Sequence, residues 1–158
     1  MVMAAPSAFG WRGYRQPEPI LARKQDPKSD PQTFLVAESG YNPYTTVVIT
    51  SGETLRRHVD RVRGMAEACR AGWRAYLDDP APTNKAMHDL NPDMDLDTFA
   101  QGAAAQKSLI ENDESKKLGL GAMTAERWTT LAQQLVSLGV IKNVPPAHQC
   151  FVDAGTLK

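Results

Sequence analysis

The residues from Thr50 to Pro80 form the longest stretch of the chain whose apolar positions keep one helical period. Steps of three and four residues place these positions along one face of an α-helix: Leu55, Val59, Val62, Ala66, Cys69, Trp73 and Tyr76. Charged residues cover the opposite face, so we expect the apolar face of the helix to be buried and the charged face to be exposed to solvent. Thr50 and Glu53 have capping-box spacing, and Asp78-Asp79-Pro80 predicts the end. Such a helix needs an apolar surface to pack on.

The surface predicted for this helix is a pair of β-strands that precede it. Thr33–Ala37 and Thr45–Ile49 are continuous runs of β-forming residues, a pattern typical of strands that are covered on both faces. Between them lies Glu38–Tyr44, whose Gly, Asn and Pro residues predict a turn with an aromatic surface. We therefore expect the long helix to dock on two short strands.

The remaining segments are predicted to be mostly helical. Ile20–Lys24 reads as a short helical turn, and Thr83–Leu90 as a short helix ended by Asn91-Pro92. Asp93 or Asp95 is expected to cap a longer helix, and Thr124 a last one that ends at Gly139. The sequence thus predicts an α/β fold with two short strands followed by about four helices. It is taken as one domain, 1–158, with a loose lead-in over 1–12, a core over 13–143 and a tail over 144–158.

Composition and charge exclude several classes of protein. The 158 residues carry 18 basic and 18 acidic side chains, which gives none of the broad positive field that nucleic-acid binding requires. The sequence contains no apolar run of about 20 residues, the length that a membrane helix needs. Met1–Phe9 lacks the basic and long apolar regions of a secretory signal. Cys69 and Cys150 are too far apart in sequence for a metal motif, so a buried thiol at Cys69 is preferred over a disulfide.

Alternating aspartates after the helix predicted over Thr83–Leu90 have the spacing found at the start of a calcium loop. Asp93, Asp95 and Asp97 have the required spacing, but Thr98 and Ala104 stand where such a loop needs glycine and glutamate. The alternative is that these carboxylates face a helix N-terminus. No metal site and no cofactor is therefore predicted.

The segment Tyr14–Glu18 is the candidate binding stretch that the residues themselves suggest. It places Gln16 and the Glu18 carboxylate beside a tyrosine and between two prolines. Such a segment offers an acceptor, a donor and an aromatic face, which can hold a small polar heterocycle or an amine. A solvated proline-rich loop is the alternative.

Several short segments, taken in their order and spacing, resemble a known family. They are Gly13-Tyr14 with Glu18-Pro19-Ile20, then Glu38-Ser39-Gly40-Tyr41-Asn42-Pro43-Tyr44, then Gly72-Trp73-Arg74-Ala75-Tyr76-Leu77 with Asp79-Pro80, then Asn91-Pro92, and Gly121-Ala122-Met123 before Arg127-Trp128. From about Gly13 to Phe151 the chain resembles the C-terminal half of ABC-transporter solute-binding proteins of the sulfonate, nitrate and thiamine-pyrimidine-precursor type.

The resemblance implies part of a periplasmic-binding-protein-like (type II) lobe, in a family whose two α/β lobes close on a small molecule. It implies a non-enzymatic, periplasmic component of an importer that works with an ABC permease. The solute would be small and anionic or heterocyclic, such as a sulfonate, nitrate or a thiamine pyrimidine precursor. The resemblance places Tyr14 and Glu18 beside the ligand and Tyr41 and Tyr44 near the hinge. With Gln16, the candidate ligand-binding residues are Tyr14, Gln16, Glu18, Tyr41 and Tyr44.

The matching segments correspond to one of the two walls that a binding cleft needs. We therefore expect a fragment or a truncated descendant of the family, with exposed strand edges that favour self-association or pairing with a complementary chain. Two other functions stay open. One is a remnant of a thiamine-pyrimidine synthase, although relatives of that kind carry a cysteine cluster for iron, and Cys69 and Cys150 are widely separated. The other is a helical protein-interaction module.

Overall fold

The computed structural model describes residues 18–157, and the regular structure within them is helical throughout. The α-helices are α1 (Glu18–Gln25), α2 (Gly52–Arg57), α3 (Val59–Asp78), α4 (Ala81–Leu90), α5 (Leu96–Ile110), α6 (Asp113–Leu118) and α7 (Ala125–Ser137). Short 3-10 turns cover Val36–Ser39, Ala147–Gln149 and Ala154–Thr156. Residues 18–157 contain no strand, so the predicted α/β fold with two short strands is wrong.

The first predicted strand, Thr33–Ala37, gives way to a turn. Val36–Ser39 is a 3-10 turn, in which the Ser39 hydroxyl donates to the Val36 carbonyl at 2.7 Å. Gly40 follows with a φ of 88°, a conformation that favours glycine. Ser39 and Gly40 thus favour a turn that includes Val36 and Ala37, the last two residues of the predicted strand. Phe34 is 86% exposed, so this segment forms no covered strand.

The second predicted strand, Thr45–Ile49, has the right composition but no partner among the described residues. It has no regular secondary structure, and Val48 and Ile49 are 64% and 86% exposed. β-propensity measures how well a side chain fits a pleated, half-buried surface, and it has no effect where no second strand provides that surface. The strand edges on which self-association was predicted are therefore not present in residues 18–157.

The predicted long helix is present, but it is divided and only half buried. Ser51, not Thr50, is the N-cap of α2, and its hydroxyl accepts from the Thr54 amide at 3.0 Å. His58 leaves helical geometry with φ −139° and ψ 45°, and α3 begins directly after it and ends at Asp78 as predicted. Trp73 is 46% exposed. The predicted docking of its apolar face on two strands is therefore wrong.

The described residues fall into two compact units. Unit 1 contains residues 18–35 and Ala75–Asn112, and unit 2 contains Val36–Arg74 and residues 113–157. The division lies within α3, so each unit includes part of that helix. The predicted lead-in, core and tail of a single domain stay a prediction.

Unit 1 packs α1 and α4 against α5. Small side chains on α5 allow a close approach, and the residues it buries are Thr98, Gly102 and Ala103. Ile20, Ala22 and Leu77 complete the apolar interior of this unit. Asn84 is buried as well, and its Oδ1 accepts from the Tyr76 hydroxyl at 3.0 Å. Burial raises the pKa of the Tyr76 phenol.

A lysine completes unit 1 by bonding three acceptors at the start of α5. Lys24 Nζ donates to Asp95 Oδ1 and Thr98 Oγ1, both at 2.7 Å, and lies 2.8 Å from Asp97 Oδ2. Asp95 is also the N-cap of α5, accepting from the Thr98 amide at 2.8 Å. Asp95 and Asp97 therefore act at a helix N-terminus, the alternative to the calcium loop.

Candidate functional site

The first predicted site residue that the structure describes is Glu18, at the start of α1 in unit 1. Pro19 follows it in the first turn, where a missing N–H costs nothing, and a carboxylate there faces the positive end of the helix. Glu18 Oε2 is buried, and within residues 18–157 it accepts no hydrogen bond. The other predicted residues of this segment, Tyr14 and Gln16, lie outside the described residues.

The loop that contains Tyr41 and Tyr44 belongs to unit 2, where α7 holds it in place. Arg127 Nε donates to the Asn42 carbonyl at 2.6 Å, and its Nη2 donates to Asn42 Oδ1 at 2.8 Å and to the Pro43 carbonyl at 3.3 Å. Its Nη1 donates to Glu114 Oε2 on α6 at 3.1 Å. One guanidinium therefore fixes both the loop and α6 to α7.

Aromatic rings lie in a row beneath this guanidinium. Arg127 Cζ lies 4.1 Å from the centre of the Tyr44 ring, a cation–π contact. The Tyr44 and Trp128 ring centres are 5.7 Å apart, and Phe151 stacks on Trp128 at 6.2 Å. The Trp128 indole nitrogen is buried and has no acceptor within the described residues. The predicted tail, 144–158, thus contributes a ring to unit 2.

Tyr44 also binds the N-terminus of α7. Its hydroxyl accepts a hydrogen bond from the Thr124 amide at 2.8 Å, while the Thr124 hydroxyl accepts from the Arg127 amide at 3.3 Å. The second of these bonds is the N-cap predicted from the sequence. Gly139, with φ 71°, ends the helix as expected, and its amide donates to the Val136 carbonyl at 2.9 Å.

A depression of about 340 Å³ opens beside Arg127 within unit 2. The loop forms one wall, and Gln134 Nε2 on α7 donates a hydrogen bond to the Gly40 carbonyl of this loop at 2.9 Å. Residues spaced by about one helical turn form the opposite wall: Glu126, Arg127, Thr130, Leu131 and Gln134. Glu114 and Thr124 close its rim. The depression is large enough for a small organic solute.

The sequence did not single out most of the residues that border this depression. Tyr41 is 41% exposed, and Tyr44 lies under Arg127 instead of lining the depression. Arg127 was noticed only within the family pattern, because no local signal links a loop to a side chain 85 positions later.

Metal and thiol chemistry receive no support from the described residues. Within 18–157, the His, Cys, Asp and Glu side chains form no group of three or more that could hold a metal ion. Cys69 and Cys150 are free thiols and form no disulfide, as predicted, but Cys69 is half buried and not fully buried.

Comparison with known protein families gives a match to the first half of the chain. The model of a family described as NMT1/THI5 like matches residues 3–83, just over half of the 158 residues. The chain belongs to the NMT1/THI5-like family. The comparisons with curated proteins and with solved structures give no match.

The NMT1/THI5-like family consists mostly of solute-binding proteins of ABC transporters for nitrate, sulfonate and thiamine precursors, and it also includes a synthase. The resemblance inferred from the sequence is therefore confirmed, and membership supports a solute-binding role in the general sense. Tyr14, Gln16, Glu18, Tyr41 and Tyr44 all lie within the matched residues, whereas Arg127 lies beyond them. In the part of the chain that the structure describes, no helix combines the length and apolar character of a membrane span.

Proposed function

We propose that this chain is a non-enzymatic solute-binding component of an ABC importer, which holds a small anionic or heterocyclic solute such as a sulfonate, nitrate or a thiamine pyrimidine precursor. The observation that carries the proposal is the match of the NMT1/THI5-like family over residues 3–83, which contains all five proposed ligand-binding residues. Its function would place the protein in the periplasm, in contact with an ABC permease.

The proposed ligand-binding residues remain Tyr14, Gln16, Glu18, Tyr41 and Tyr44. Glu18 has a physical reason to bind a donor, since its Oε2 is buried and accepts no hydrogen bond within residues 18–157. A carboxylate oxygen in that state gains a charge-assisted hydrogen bond when a ligand N–H or O–H reaches it.

A thermal shift titration tests solute binding directly. The full-length chain is heated with increasing nitrate, taurine or 4-amino-2-methylpyrimidine, with sodium chloride as the ionic control. A solute that binds only the folded state raises Tm progressively as its concentration passes Kd. We expect one of the three to do so. Unchanged Tm with all three solutes would contradict the proposal.

The assignment of Glu18 has its own test. Glu18→Gln is compared with Glu38→Gln, which changes an exposed carboxylate in the turn of unit 2. We expect Glu18→Gln to weaken solute binding by about tenfold, the effect of losing one charge-assisted hydrogen bond. Equal affinities for the two variants would remove Glu18 from the site.

A helical interaction module is the second candidate, because large apolar side chains stay exposed. Phe34, Ile49 and Leu90 are each more than 85% exposed, at 86%, 86% and 87%. Sedimentation velocity over a hundredfold range of concentration distinguishes this function. Association that does not respond to any of the three solutes favours the module over the solute-binding component.

A further inference from the structure

The segment before α2 exposes two adjacent apolar side chains. Val48 is 64% exposed and Ile49 is 86% exposed, and they end the run Thr45–Ile49, which has no regular secondary structure. Neither residue borders the depression beside Arg127. Because most of each side chain faces solvent, its transfer into an apolar environment is favourable.

Three exposed arginines follow this apolar pair. Arg56 and Arg57 end α2, and Arg61 lies in the first turn of α3. Arg56 and Arg61 make no hydrogen bond or ion pair within residues 18–157. Arg57 lies 3.5 Å from Glu53, and an exposed pair of that kind contributes little. The charge of these arginines is therefore available to an anionic partner.

The arginines and the apolar pair belong to one surface. Arg56 extends back over the first turn of α2, where its Nη1 atom lies 3.3 Å from the position that a Cβ would occupy at Gly52. Gly52 follows Ile49 by three residues, so their Cα atoms are at most about 11 Å apart. We call this surface the Ile49 patch, and it consists of Val48, Ile49, Arg56, Arg57 and Arg61.

The charge around the Ile49 patch differs from that around the other highly exposed apolar residues. Val36–Arg74, which contains the patch, has six arginines and four carboxylates. Phe34 and Leu90 are 86% and 87% exposed, but they lie in unit 1, whose described residues have ten carboxylates and five lysines and arginines. An anionic surface therefore attracts the Ile49 patch and repels unit 1.

We propose that the Ile49 patch binds the surface of a membrane that contains anionic phospholipids. Val48 and Ile49 enter the boundary between headgroups and acyl chains, and the arginines bind the headgroup phosphates. None of the residues proposed to hold the solute takes part. The inference therefore goes beyond solute binding and does not depend on it.

Two other partners fit the Ile49 patch less well. In a symmetric pair of copies, the arginines of one patch would face those of the other with the same sign of charge. The anchors of a protein interface fill formed pockets, whereas Val48 and Ile49 lie on a segment without regular structure and outside the depression. A lipid surface accepts apolar side chains without a formed pocket.

Vesicle sedimentation tests this inference. The full-length chain is mixed at low ionic strength with vesicles of phosphatidylcholine alone, or of phosphatidylcholine and phosphatidylglycerol in equal amounts. We expect binding to the vesicles with phosphatidylglycerol, and we expect it to fall as sodium chloride is added, because salt screens exposed charges. Equal binding to the two kinds of vesicle, or binding to neither, overturns the inference.

Matched variants test the apolar part of the patch. Ile49→Ser is expected to weaken vesicle binding about tenfold, because one large apolar side chain no longer leaves water. Phe34→Ser makes a similar change at the same exposure in unit 1 and should leave binding unchanged. An equal effect of the two variants overturns the assignment of Ile49.

A second pair of variants tests the charged part. Arg56→Gln combined with Arg61→Gln is expected to weaken binding about 25-fold, or about fivefold for each arginine near an anionic surface. Arg23→Gln combined with Lys28→Gln removes two exposed cations of unit 1 and should have no effect. Equal losses would show that net charge alone, and not the Ile49 patch, sets the binding.

Two further outcomes would identify a different partner. Binding to poly-L-glutamate without binding to phosphatidylglycerol vesicles overturns the inference in favour of an acidic protein. Pairing of the chain in the absence of vesicles, abolished by Ile49→Ser in sedimentation velocity, overturns it in favour of a second copy. Neither outcome changes the thermal shift titration, which decides solute binding independently.

Discussion

Both units contain a cation that reaches a distant segment: in unit 1 Lys24 bonds acceptors 71 to 74 positions later at the start of one helix, whereas in unit 2 Arg127 reaches a loop 85 positions earlier. Lys24 strengthens a helix start that its own N-cap, Asp95, already defines. Arg127 holds a loop that makes no regular structure of its own. In unit 1 the cation therefore adds to a helix start and to small buried residues, while in unit 2 the cation holds a loop that has no helix or strand of its own.

The largest effect is expected where one residue makes the most long-range bonds. Arg127→Met removes four hydrogen bonds and leaves Glu114 without its cation. Because the side chain is 25% exposed, we expect a loss of about 2.5 kcal/mol in the free energy of unfolding by urea denaturation.

Arg61→Met is the control for this change, since Arg61 is exposed on α3. It should alter stability by no more than about 0.5 kcal/mol. Hydrogen exchange should quicken at residues 41–45 in the Arg127 variant. Unchanged exchange in that loop would show that the arginine does not hold it.

Unit 1 should respond next most strongly, at its buried hydroxyl. Thr98 is 1% exposed; its hydroxyl accepts from Lys24 and donates to Asp95 Oδ2 at 3.1 Å. Thr98→Val keeps the shape and removes both bonds, so we expect a loss of about 1.5 kcal/mol by the same urea measurement.

Thr83→Val, at an exposed position of α4, is the matched substitution for Thr98→Val. It should cost less than about 0.5 kcal/mol. If the two variants unfold at the same urea concentration, the buried network contributes nothing to unit 1.

A smaller loss is expected from a single hydroxyl in unit 2. Tyr44→Phe keeps the ring under Arg127 but removes the oxygen that accepts from the Thr124 amide. We expect a loss of about 1 kcal/mol in the urea experiment. Tyr41→Phe, in the same loop but 41% exposed, serves as its control and should be neutral. Equal losses would mean that the Tyr44 hydroxyl has no special partner.

Low pH should distinguish the two units, because protonation of Asp95 and Asp97 weakens the contacts that Lys24 makes in unit 1. Hydrogen bonds from Lys24 lower the pKa of Asp95 and of Asp97 below the ordinary value of about 3.9. Their stabilisation is therefore present above about pH 3.9 and is lost as pH falls through the lower folded values. The same pair raises the pKa of Lys24, so its contribution is lost only when pH rises beyond its ordinary value of about 10.4.

The measurement is Tm between about pH 5 and about pH 2 for the wild type and Lys24→Met. The variant should lose less of its Tm over this range than the wild type does. Parallel curves would show that the lysine does not set the acid sensitivity of unit 1.

Sequence patterns predicted the parts of the fold that depend on neighbouring residues. Thr124 is the predicted N-cap of α7, Asp95 is one of the two residues predicted to cap α5, α3 ends before Pro80, and Gly139 ends α7. Each of these signals lies within one helical turn of the structure that it sets, which is why it can be read without knowledge of the fold.

Features that depend on distant partners could not be predicted in this way. Thr45–Ile49 has strand composition, but a strand also needs a neighbouring strand, which the described residues do not provide. His58 divides the long helix although neither glycine nor proline marks the break. The depression needed Arg127 and the loop to be brought together across 85 positions, and no local pattern carries that information.

The most direct test of solute binding is the thermal shift titration of the full-length chain with nitrate, taurine and 4-amino-2-methylpyrimidine. We expect Tm to rise progressively with one of these solutes and to stay unchanged with sodium chloride at the same ionic strength. Unchanged Tm with all three solutes would contradict a solute-binding role.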